Sequence, residues 1–305
     1  MKVLIATEKP FAPAAISQMK KVLEDAGVEV ALLEKYQTKQ DLLNAVKGVE
    51  GIIVRSDIID KEVIDATPDL KLIVRAGAGY DNIDLKAASQ KGVVVMNTPG
   101  QNANAVAELV FGMLVLMARN HFDGTTGSEL KGKTLGLHAY GNVSRNVARI
   151  AKGFGMHVLA YDPFLTAEQI ESEGVMPVAS PAELYKQSQY VSLHIPATPQ
   201  TINSINYELL SLMPKGATLI NTARKEVIDE EGLLRILEER PDFNYIADIR
   251  PGKADVFIEK FADRVCLTPK KLGAQTKEAN MNAGIAAAHQ SVDYLKNGKD
   301  KFRVN

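Results

Sequence analysis

Short apolar runs rich in valine, isoleucine and leucine alternate along this chain with segments whose apolar residues recur every three or four positions. The first pattern predicts buried β-strands and the second predicts amphipathic helices. Because a helix separates most neighbouring strands, the order is typical of parallel sheets with helical crossovers. The strands predicted in the first third are residues 2–6, 28–33, 51–54, 71–75 and 93–96, and the helices are 14–27, 39–46, 61–66 and 85–92.

A long apolar helix over residues 104–119 and a polar, glycine-rich link over 123–132 separate this block from a second one. Six strands with intervening helices are enough for a complete doubly wound nucleotide-binding domain. We therefore expect an α/β protein with two domains, each built on a mostly parallel sheet. The strands predicted in the second block are 134–139, 157–161, 190–193, 218–220, 244–247 and 265–267, and a last helix is predicted at 279–296.

Composition narrows the class of protein without identifying it. The 305 residues are 46% hydrophobic and 24% charged, with a net charge of −1, which gives no electrostatic reason to expect a nucleic acid or a membrane as partner. No apolar stretch approaches the roughly 20 residues of a membrane helix, and we expect no signal peptide. The single cysteine, Cys266, falls in a predicted strand and is interpreted as a buried, inert thiol. We expect a cytoplasmic, reducing location.

The turn after the strand at 134–139 is where a dinucleotide-binding fold carries the pattern G-x-G-x-x-G. Here the three positions are Ala139, Gly141 and Ser144, so only the glycine that lets the backbone approach a pyrophosphate is present. Ala139 must make the tight turn with a methyl group, and Ser144 must let the helix pack close to the strand. As a bare motif this is weak evidence for a dinucleotide site.

The position of Asp162 strengthens that evidence. This residue ends the next predicted strand, about 20 residues after Gly141, where a carboxylate can accept hydrogen bonds from the adenosine ribose. Such a carboxylate would repel a 2′-phosphate, and no arginine follows it directly, so NAD is favoured over NADP. The alternative is that Asp162 only forms the turn before Pro163.

Asn221-Thr222-Ala223-Arg224 follows another apolar run, and this places Arg224 at the carboxyl end of a predicted strand. Open α/β sheets bind their ligands at that edge. A guanidinium is always charged and can hold a carboxylate through two parallel hydrogen bonds. Taken alone, Arg224 is equally consistent with a surface arginine in a strand-to-helix loop.

Together these features resemble the D-2-hydroxyacid dehydrogenase family, and within it the short phosphoglycerate dehydrogenases. The resemblance covers essentially the whole chain. The segments that carry it are 74–84, 97–100, 107–109, 192–196, 221–224, 267–269 and 273–279.

The resemblance implies a Rossmann-type NAD-binding domain, residues 101–281, inserted in a flavodoxin-like substrate domain made of residues 1–100 plus 282–305. It implies NAD as cofactor, no metal, a homodimer, and oxidation of 3-phospho-D-glycerate to 3-phosphooxypyruvate, the first step of serine synthesis. The link over 120–133 is shorter than the family's usual dimerisation arm, which leaves the dimer geometry open. Because nothing follows Asn305, we expect no appended regulatory domain.

The resemblance also implies site residues. Backbone N–H groups of the loop 76–79 and the Arg224 guanidinium would hold the substrate carboxylate, while Thr222 to Arg224 and Asp248 would face the nicotinamide. Arg55 and Arg75 are either surface ion pairs or a cationic rim for the substrate phosphate. The predicted substrate-binding residues are Arg55, Ser56, Arg75, Ala76, Gly77, Ala78, Gly79 and Asn97. The predicted cofactor-binding residues are Ala78, Gly141, Asn142, Val143, Asp162, Ile195, Pro196, Thr222, Ala223, Arg224 and Asp248.

The chain departs from the family at the acid/base, which is usually a histidine paired with a glutamate. The histidine position is Lys271 when the alignment is anchored on Gly273 and Lys270 when it is anchored on Pro269, and the expected glutamate is Lys253. A lysine used as a base needs burial and cationic neighbours rather than a carboxylate, so the double change is consistent with a lysine acid/base. The predicted catalytic residues are Arg224, Lys271 and Lys270. A glyoxylate or hydroxypyruvate reductase and an inactive NAD-sensing protein are the alternatives.

Overall fold

Strands and helices alternate along the whole chain in the computed structural model, which describes residues 1–305. The strands are β1 (Lys2–Thr7), β2 (Glu29–Glu34), β3 (Gly51–Val54), β4 (Leu72–Arg75), β5 (Val94–Asn97), β6 (Thr134–His138), β7 (His157–Tyr161), β8 (Met176–Pro177), β9 (Tyr190–Leu193), β10 (Thr218–Asn221), β11 (Asn244–Ala247) and β12 (Val265–Leu267). Each strand predicted from the sequence is present, with ends shifted by one residue at most. The two-residue β8 was not predicted, since it is too short to show a period.

The helices connect these strands. They are α1 (Pro13–Asp25), α2 (Lys39–Ala45), α3 (Lys61–Asp65), α4 (Leu85–Gln90), α5 (Ala103–Ala118), α6 (Asn142–Gly153), α7 (Ala167–Glu171), α8 (Pro181–Gln187), α9 (Tyr207–Ser211), α10 (Glu230–Glu239), α11 (Ala254–Phe261) and α12 (Lys277–Asn297). Short 3₁₀ turns occur at Asn120–Phe122 and Lys225–Val227. None of the helices combines the length and the apolar character that crossing a bilayer requires.

The chain divides into two units. Unit 1 comprises Met1–Asn102 and Gln275–Asn305, and unit 2 comprises Ala103–Ala274. The sequence predicts a return to the first domain at residue 282, and the second part of unit 1 begins at Gln275. Residues 275–281 belong to unit 1 because α12 is one continuous helix from Lys277 onward.

Unit 1 contains a parallel sheet in the order β2-β1-β3-β4-β5, which is the flavodoxin-like order. Helix α12 closes one face of this sheet, where Ala283, Ala287 and Ala288 pack in the same apolar cluster as Met19 of α1. The free edge of β5 is covered by the segment 302–305, since Met96 and Arg303 form an antiparallel bridge.

Unit 2 contains a parallel sheet in the order β12-β11-β10-β9-β6-β7-β8. The chain runs outward from β6 in one direction through β7 and β8 and then restarts on the other side with β9, so the switch point lies between β6 and β9. The predicted fold class, two α/β domains on parallel sheets, is confirmed.

The centre of the unit 2 sheet depends on Gly136 of β6. A Cβ at this position would lie 2.4 Å from Ser188 Oγ and 3.0 Å from Leu184 Cγ, both next to or within α8. Ser188 and Leu184 have no exposed surface, so neither can move aside easily. Gly136 therefore allows α8 to approach the strand that carries the cofactor turn.

Gly136→Ala should lower the free energy of unfolding by about 1–3 kcal/mol, because the added methyl group overpacks a closed interface. Gly153→Ala is the matched control, since a Cβ on this last residue of α6 meets nothing within 4 Å. The control should keep or raise stability, by up to about 1 kcal/mol. Urea unfolding followed by circular dichroism measures both. Equal effects at the two positions would contradict the packing role of Gly136.

Candidate active site

The turn between β6 and α6 has the geometry of a dinucleotide turn despite its missing glycines. Ala139 has φ +75°, in the left-handed region that glycine enters freely and other residues enter at about 1–2 kcal/mol. The prediction that Ala139 makes the tight turn is confirmed. The hydroxyl of buried Ser144 donates a 2.6 Å hydrogen bond to the carbonyl of Ala139, which stabilises this strained turn.

The N-terminus of α6 is free to receive an anion. Most other helices here begin with a side-chain cap, such as Thr38 at α2 or Thr276 at α12, whereas the N-cap of α6 is Gly141 and no side chain caps it. A Cβ on Gly141 would meet nothing within 4 Å, so the space above the turn is open. The uncapped N–H groups and the helix dipole favour a phosphate at this point. These features fit the pyrophosphate of a dinucleotide.

Asp162 forms the turn before Pro163 and is also tied to the turn between β6 and α6. Its Oδ1 accepts the backbone N–H of Phe164 at 2.8 Å, which is the turn-forming role. Its Oδ2 accepts the N–H of Tyr140 at 2.8 Å, which fixes the carboxylate beside the cofactor turn. Each carboxylate oxygen can accept more than one hydrogen bond, so ribose hydroxyls still have free lone pairs to meet.

Three buried polar atoms without a hydrogen-bond partner lie at the carboxyl edge of the unit 2 sheet. They are His194 Nε2 after β9, Thr222 Oγ1 after β10 and Asp248 Oδ1 after β11. Buried polar atoms are nearly always paired in proteins, so a row of three at one edge indicates a ligand there. Thr222 and Asp248 were predicted from the sequence as cofactor-binding residues.

His194 was not predicted, although its neighbours Ile195 and Pro196 were. Burial lowers the pKa of His194 to about 3, so the imidazole is neutral at physiological pH. The signal that could have found it is its place directly after an apolar strand, within the matching segment 192–196. Ile195 itself is buried and Pro196 is exposed.

The loop after β10 brings two cationic side chains to one atom. Arg224 Nη1 donates to the carbonyl of Ala223 at 2.9 Å, and Lys271 Nζ lies 3.4 Å from the same oxygen. The Asn221 side chain holds the loop from beneath, accepting from the N–H of Ala223 at 2.9 Å and donating to the carbonyl of Arg224 at 2.9 Å. Arg224 and Lys271 are therefore placed side by side.

The loop that carries Lys271 is tied to a buried carboxylate. Asp248 is fully buried, and its Oδ2 accepts the N–H of Gly273 at 2.8 Å. A Cβ on Gly273 would lie 2.7 Å from that oxygen, so only glycine permits this approach. Burial raises the pKa of Asp248, while the Gly273 amide and the charge of Lys271 act in the opposite direction.

Lys270, the alternative acid/base residue, and Lys253, at the position expected for the glutamate, lie in different surroundings from Lys271. Lys270 makes no side-chain hydrogen bond or ion pair, and its carbonyl accepts from the hydroxyl of Thr268 at 2.8 Å. Lys253, at the position expected for the glutamate, pairs with Glu231 at 2.6 Å on the surface of unit 2. No carboxylate from this position therefore accompanies Lys271.

In unit 1 the loop 76–79 follows β4 directly. Gly77 has φ +154°, and the Arg75 guanidinium fills the space that a Cβ of Gly77 would occupy, with Nη1 only 1.5 Å from it. Asn97 at the end of β5 donates to the carbonyl of Ala78 at 2.6 Å, which fixes the loop from the next strand. The predicted substrate residues Arg75, Gly77, Ala78 and Asn97 are thus brought together.

Arg55 is held by its own unit. Its Nη1 donates to the carbonyls of Lys9 and Pro10 at 3.0 and 3.2 Å, its Nη2 donates to Asn280 at 2.6 Å, and its guanidinium lies 5.1 Å over the ring of Phe11. The alternative of a surface ion pair does not describe Arg55, which forms no salt bridge. Ser56 is exposed beside it.

No group of three or more histidine, cysteine, aspartate or glutamate side chains is arranged to hold a metal ion. The chemistry that the arrangement offers is an anion site at α6, acceptors for hydroxyl groups at Asp162, and two adjacent cations at Ala223. This set suits a dinucleotide and a substrate that carries both a carboxylate and a transferable proton.

Comparison with known proteins gives a consistent result. Residues 87–269 match the family model for the D-isomer specific 2-hydroxyacid dehydrogenase, NAD binding domain. The D-3-phosphoglycerate dehydrogenase of Methanocaldococcus jannaschii is 38% identical over 299 residues, which cover 90% of this chain and 55% of that protein. The hydroxypyruvate reductase of Thermotoga maritima is 34% identical over 275 residues, which cover 84% of this chain and 88% of that protein.

Among solved structures, the NAD⁺-bound 3-phosphoglycerate dehydrogenase of Entamoeba histolytica is 49% identical, with a TM-score of 0.89, covering 100% of this chain and 98% of that chain. The chain spans about half the length of the first curated relatives, 55% and 54% of them. The matched domain binds NAD, the cofactor predicted from the sequence. The chain belongs to the D-isomer specific 2-hydroxyacid dehydrogenase family.

Proposed function

We propose that this protein oxidises 3-phospho-D-glycerate to 3-phosphooxypyruvate with NAD. The observation that carries the proposal is the meeting of Arg224 and Lys271 at the carbonyl of Ala223, because oxidation of a 2-hydroxy acid needs a carboxylate clamp beside a proton acceptor. The similarity to the Entamoeba histolytica and Methanocaldococcus jannaschii enzymes supports the phosphorylated substrate.

The cofactor would be held by residues described above. The N–H groups of Gly141, Asn142 and Val143 would bind the pyrophosphate, and Asp162 would accept from the adenosine ribose. Thr222 Oγ1 and Asp248 Oδ1, both buried and without partners, would meet the nicotinamide end. Bound NAD supplies the acceptor for the hydride that leaves C2 of the substrate.

Side chains of the protein would accept the hydroxyl proton and stabilise the negative charge of the substrate. Lys271, as the neutral amine, takes the proton of the C2 hydroxyl as the hydride departs. Arg224 binds the substrate carboxylate and stabilises negative charge on the oxygen that becomes the carbonyl. We assign the substrate phosphate to Arg75, because it lies against Gly77 in the predicted carboxylate loop and its Nε donates to the carbonyl of Arg55 at 2.9 Å.

A reductase acting on hydroxypyruvate or glyoxylate is the second candidate. It is favoured by the Thermotoga maritima relative, of whose length the chain covers 88%. The engagement of Arg55 within unit 1 also favours it, since a reductase needs no phosphate rim. A homodimer and a cytoplasmic location remain predictions from the sequence.

A steady-state assay over 2-hydroxy acids with and without phosphate separates these candidates. We expect 3-phosphoglycerate to have a far higher kcat/KM than glycerate. Arg75→Ala should raise KM for 3-phosphoglycerate by about tenfold or more, the usual size of one charge-assisted contact, and leave glycerate nearly unchanged. Arg55→Ala is the comparison variant. Higher kcat/KM for hydroxypyruvate reduction than for any phosphorylated acid would support the reductase instead.

Cofactor choice should depend on the charge of Asp162. The protein should prefer NAD to NADP, and Asp162→Asn should narrow the preference, because the amide keeps an acceptor oxygen but no longer repels a 2′-phosphate. Asparagine is the more informative replacement, since it can keep one of the two hydrogen bonds from Tyr140 and Phe164, whereas alanine removes both. KM for each dinucleotide is the measurement. Equal use of NADP by the unmodified protein would refute the ribose assignment.

Lys271→Ala should reduce kcat about 10²–10⁴-fold, the usual contribution of a positioned proton acceptor. NAD affinity should stay nearly unchanged, because the amine acts on the substrate oxygen. Lys270→Ala is the matched control and should be mild, since the Lys270 side chain contacts no polar group. Oxidation should also keep rising with pH into the alkaline range, because a lysine amine ordinarily deprotonates near 10.4 rather than near 6.5.

The reverse pattern has a clear meaning. Loss of kcat in Lys270→Ala together with normal kcat in Lys271→Ala would show that the alignment anchored on Gly273 is wrong. Normal turnover in both variants would overturn the lysine mechanism and leave the hydroxyl proton with another group.

A further inference from the structure

Unit 1 contains an open pocket that the proposed function does not use. It has a volume of about 370 Å³ and is lined by Phe11, Pro13, Ile16, Ser17, Lys20 and Glu34. Four of these residues come from α1 at positions 13, 16, 17 and 20, the spacing that puts side chains on one helix face. The last residue of β2, Glu34, supplies the opposite wall.

The charged groups in this pocket are unpaired. Glu34 Oε1 is buried and has no hydrogen-bond partner, and Lys20 forms no ion pair. Other carboxylates at the ends of the same sheet are neutralised, as in the pairs Lys2–Glu29 at 2.8 Å and Lys71–Glu50 at 2.6 Å. An unpartnered buried carboxylate oxygen is rare in folded proteins, and this one leaves an acceptor that a water or a ligand donor can meet.

Glu34 and Lys20 also fail to pair with each other, although they line one small pocket. Opposite charges that face the same space without contact leave room for a ligand that bridges them. The hydroxyl of Ser17, one turn from Lys20, makes no hydrogen bond and adds a donor on the cationic side. The remaining walls are apolar, with Phe11 only 3% exposed and Ile16 only 9% exposed.

We propose that this pocket binds a small zwitterion, an α-amino acid with an uncharged side chain. Its ammonium group would donate to Glu34, its carboxylate would be held by Lys20 and Ser17, and its side chain would rest against Phe11 and Ile16. The proposal concerns binding alone and does not depend on the proposed activity.

Titration calorimetry on the full chain tests the proposal with L-alanine, L-serine and L-valine as probes. N-acetyl-L-alanine lacks the ammonium charge and L-alaninamide lacks the carboxylate, so each removes one of the two contacts. We expect at least one zwitterion to bind and both blocked analogues of alanine to bind at least about tenfold more weakly than alanine, the size of a charge-assisted hydrogen bond. Binding of the blocked analogues as tightly as alanine would overturn the proposal, as would no binding of any zwitterion at millimolar concentration.

Glu34→Gln and Lys20→Met should each weaken zwitterion binding by about tenfold or more. Their matched controls are Glu24→Gln and Lys47→Met, exposed residues of the same unit that lie outside the pocket. Thermal unfolding checks that all four variants fold, and Lys20→Met keeps the test valid if the partly buried Glu34 proves necessary for folding. Unchanged affinity in a folded Lys20→Met variant would show that the ligand, if bound, uses a different site.

Discussion

The parallel direction of all strands in unit 2 is the constraint on which its chemistry depends. Because every strand ends at the same edge, the residues that follow β6, β9, β10 and β11 lie in one row along that edge. The cost of this arrangement is a line of polar groups that the sheet itself does not satisfy. His194, Thr222 and Asp248 each have a buried atom without a hydrogen-bond partner there, and a bound ligand would supply the missing hydrogen bonds.

The sequence predicted much of this edge because its signals are local. Apolar runs located the strands, and the residue after each run was then placed at the carboxyl edge by the topology alone. Ala139 could be predicted in a left-handed conformation because it occupies the position of a required glycine. Arg55 was different, since its partners Lys9, Pro10 and Asn280 are distant along the chain and no period or motif links them. His194 was missed because a histidine in an apolar segment has no pattern that separates a ligand-facing ring from a packed one.

The proposed acid/base, Lys271, lies in a loop that hydrogen bonds to the backbone hold in place. A histidine acid/base relies on a side-chain carboxylate to set its orientation and charge. Lys271 instead lies in a loop whose position is fixed by the amide of Gly273 on Asp248, and its amine reaches a main-chain carbonyl. Lys253, at the position expected for the glutamate, forms a surface ion pair with Glu231. Alignment could not choose between Lys270 and Lys271, since one extra residue shifts the numbering without changing the composition.

The discontinuity of unit 1 has a consequence for the order of folding during synthesis. Unit 2 is a single stretch of chain and can complete its sheet once residue 274 has left the ribosome. Unit 1 cannot, because α12 supplies Ala283, Ala287 and Ala288 to its core and the segment 302–305 closes the edge of β5. Until those residues emerge, the nascent chain exposes both the apolar face of α1 and an open strand edge. Residues 1–102 are therefore synthesised before unit 2, yet their core is completed only after unit 2 has emerged.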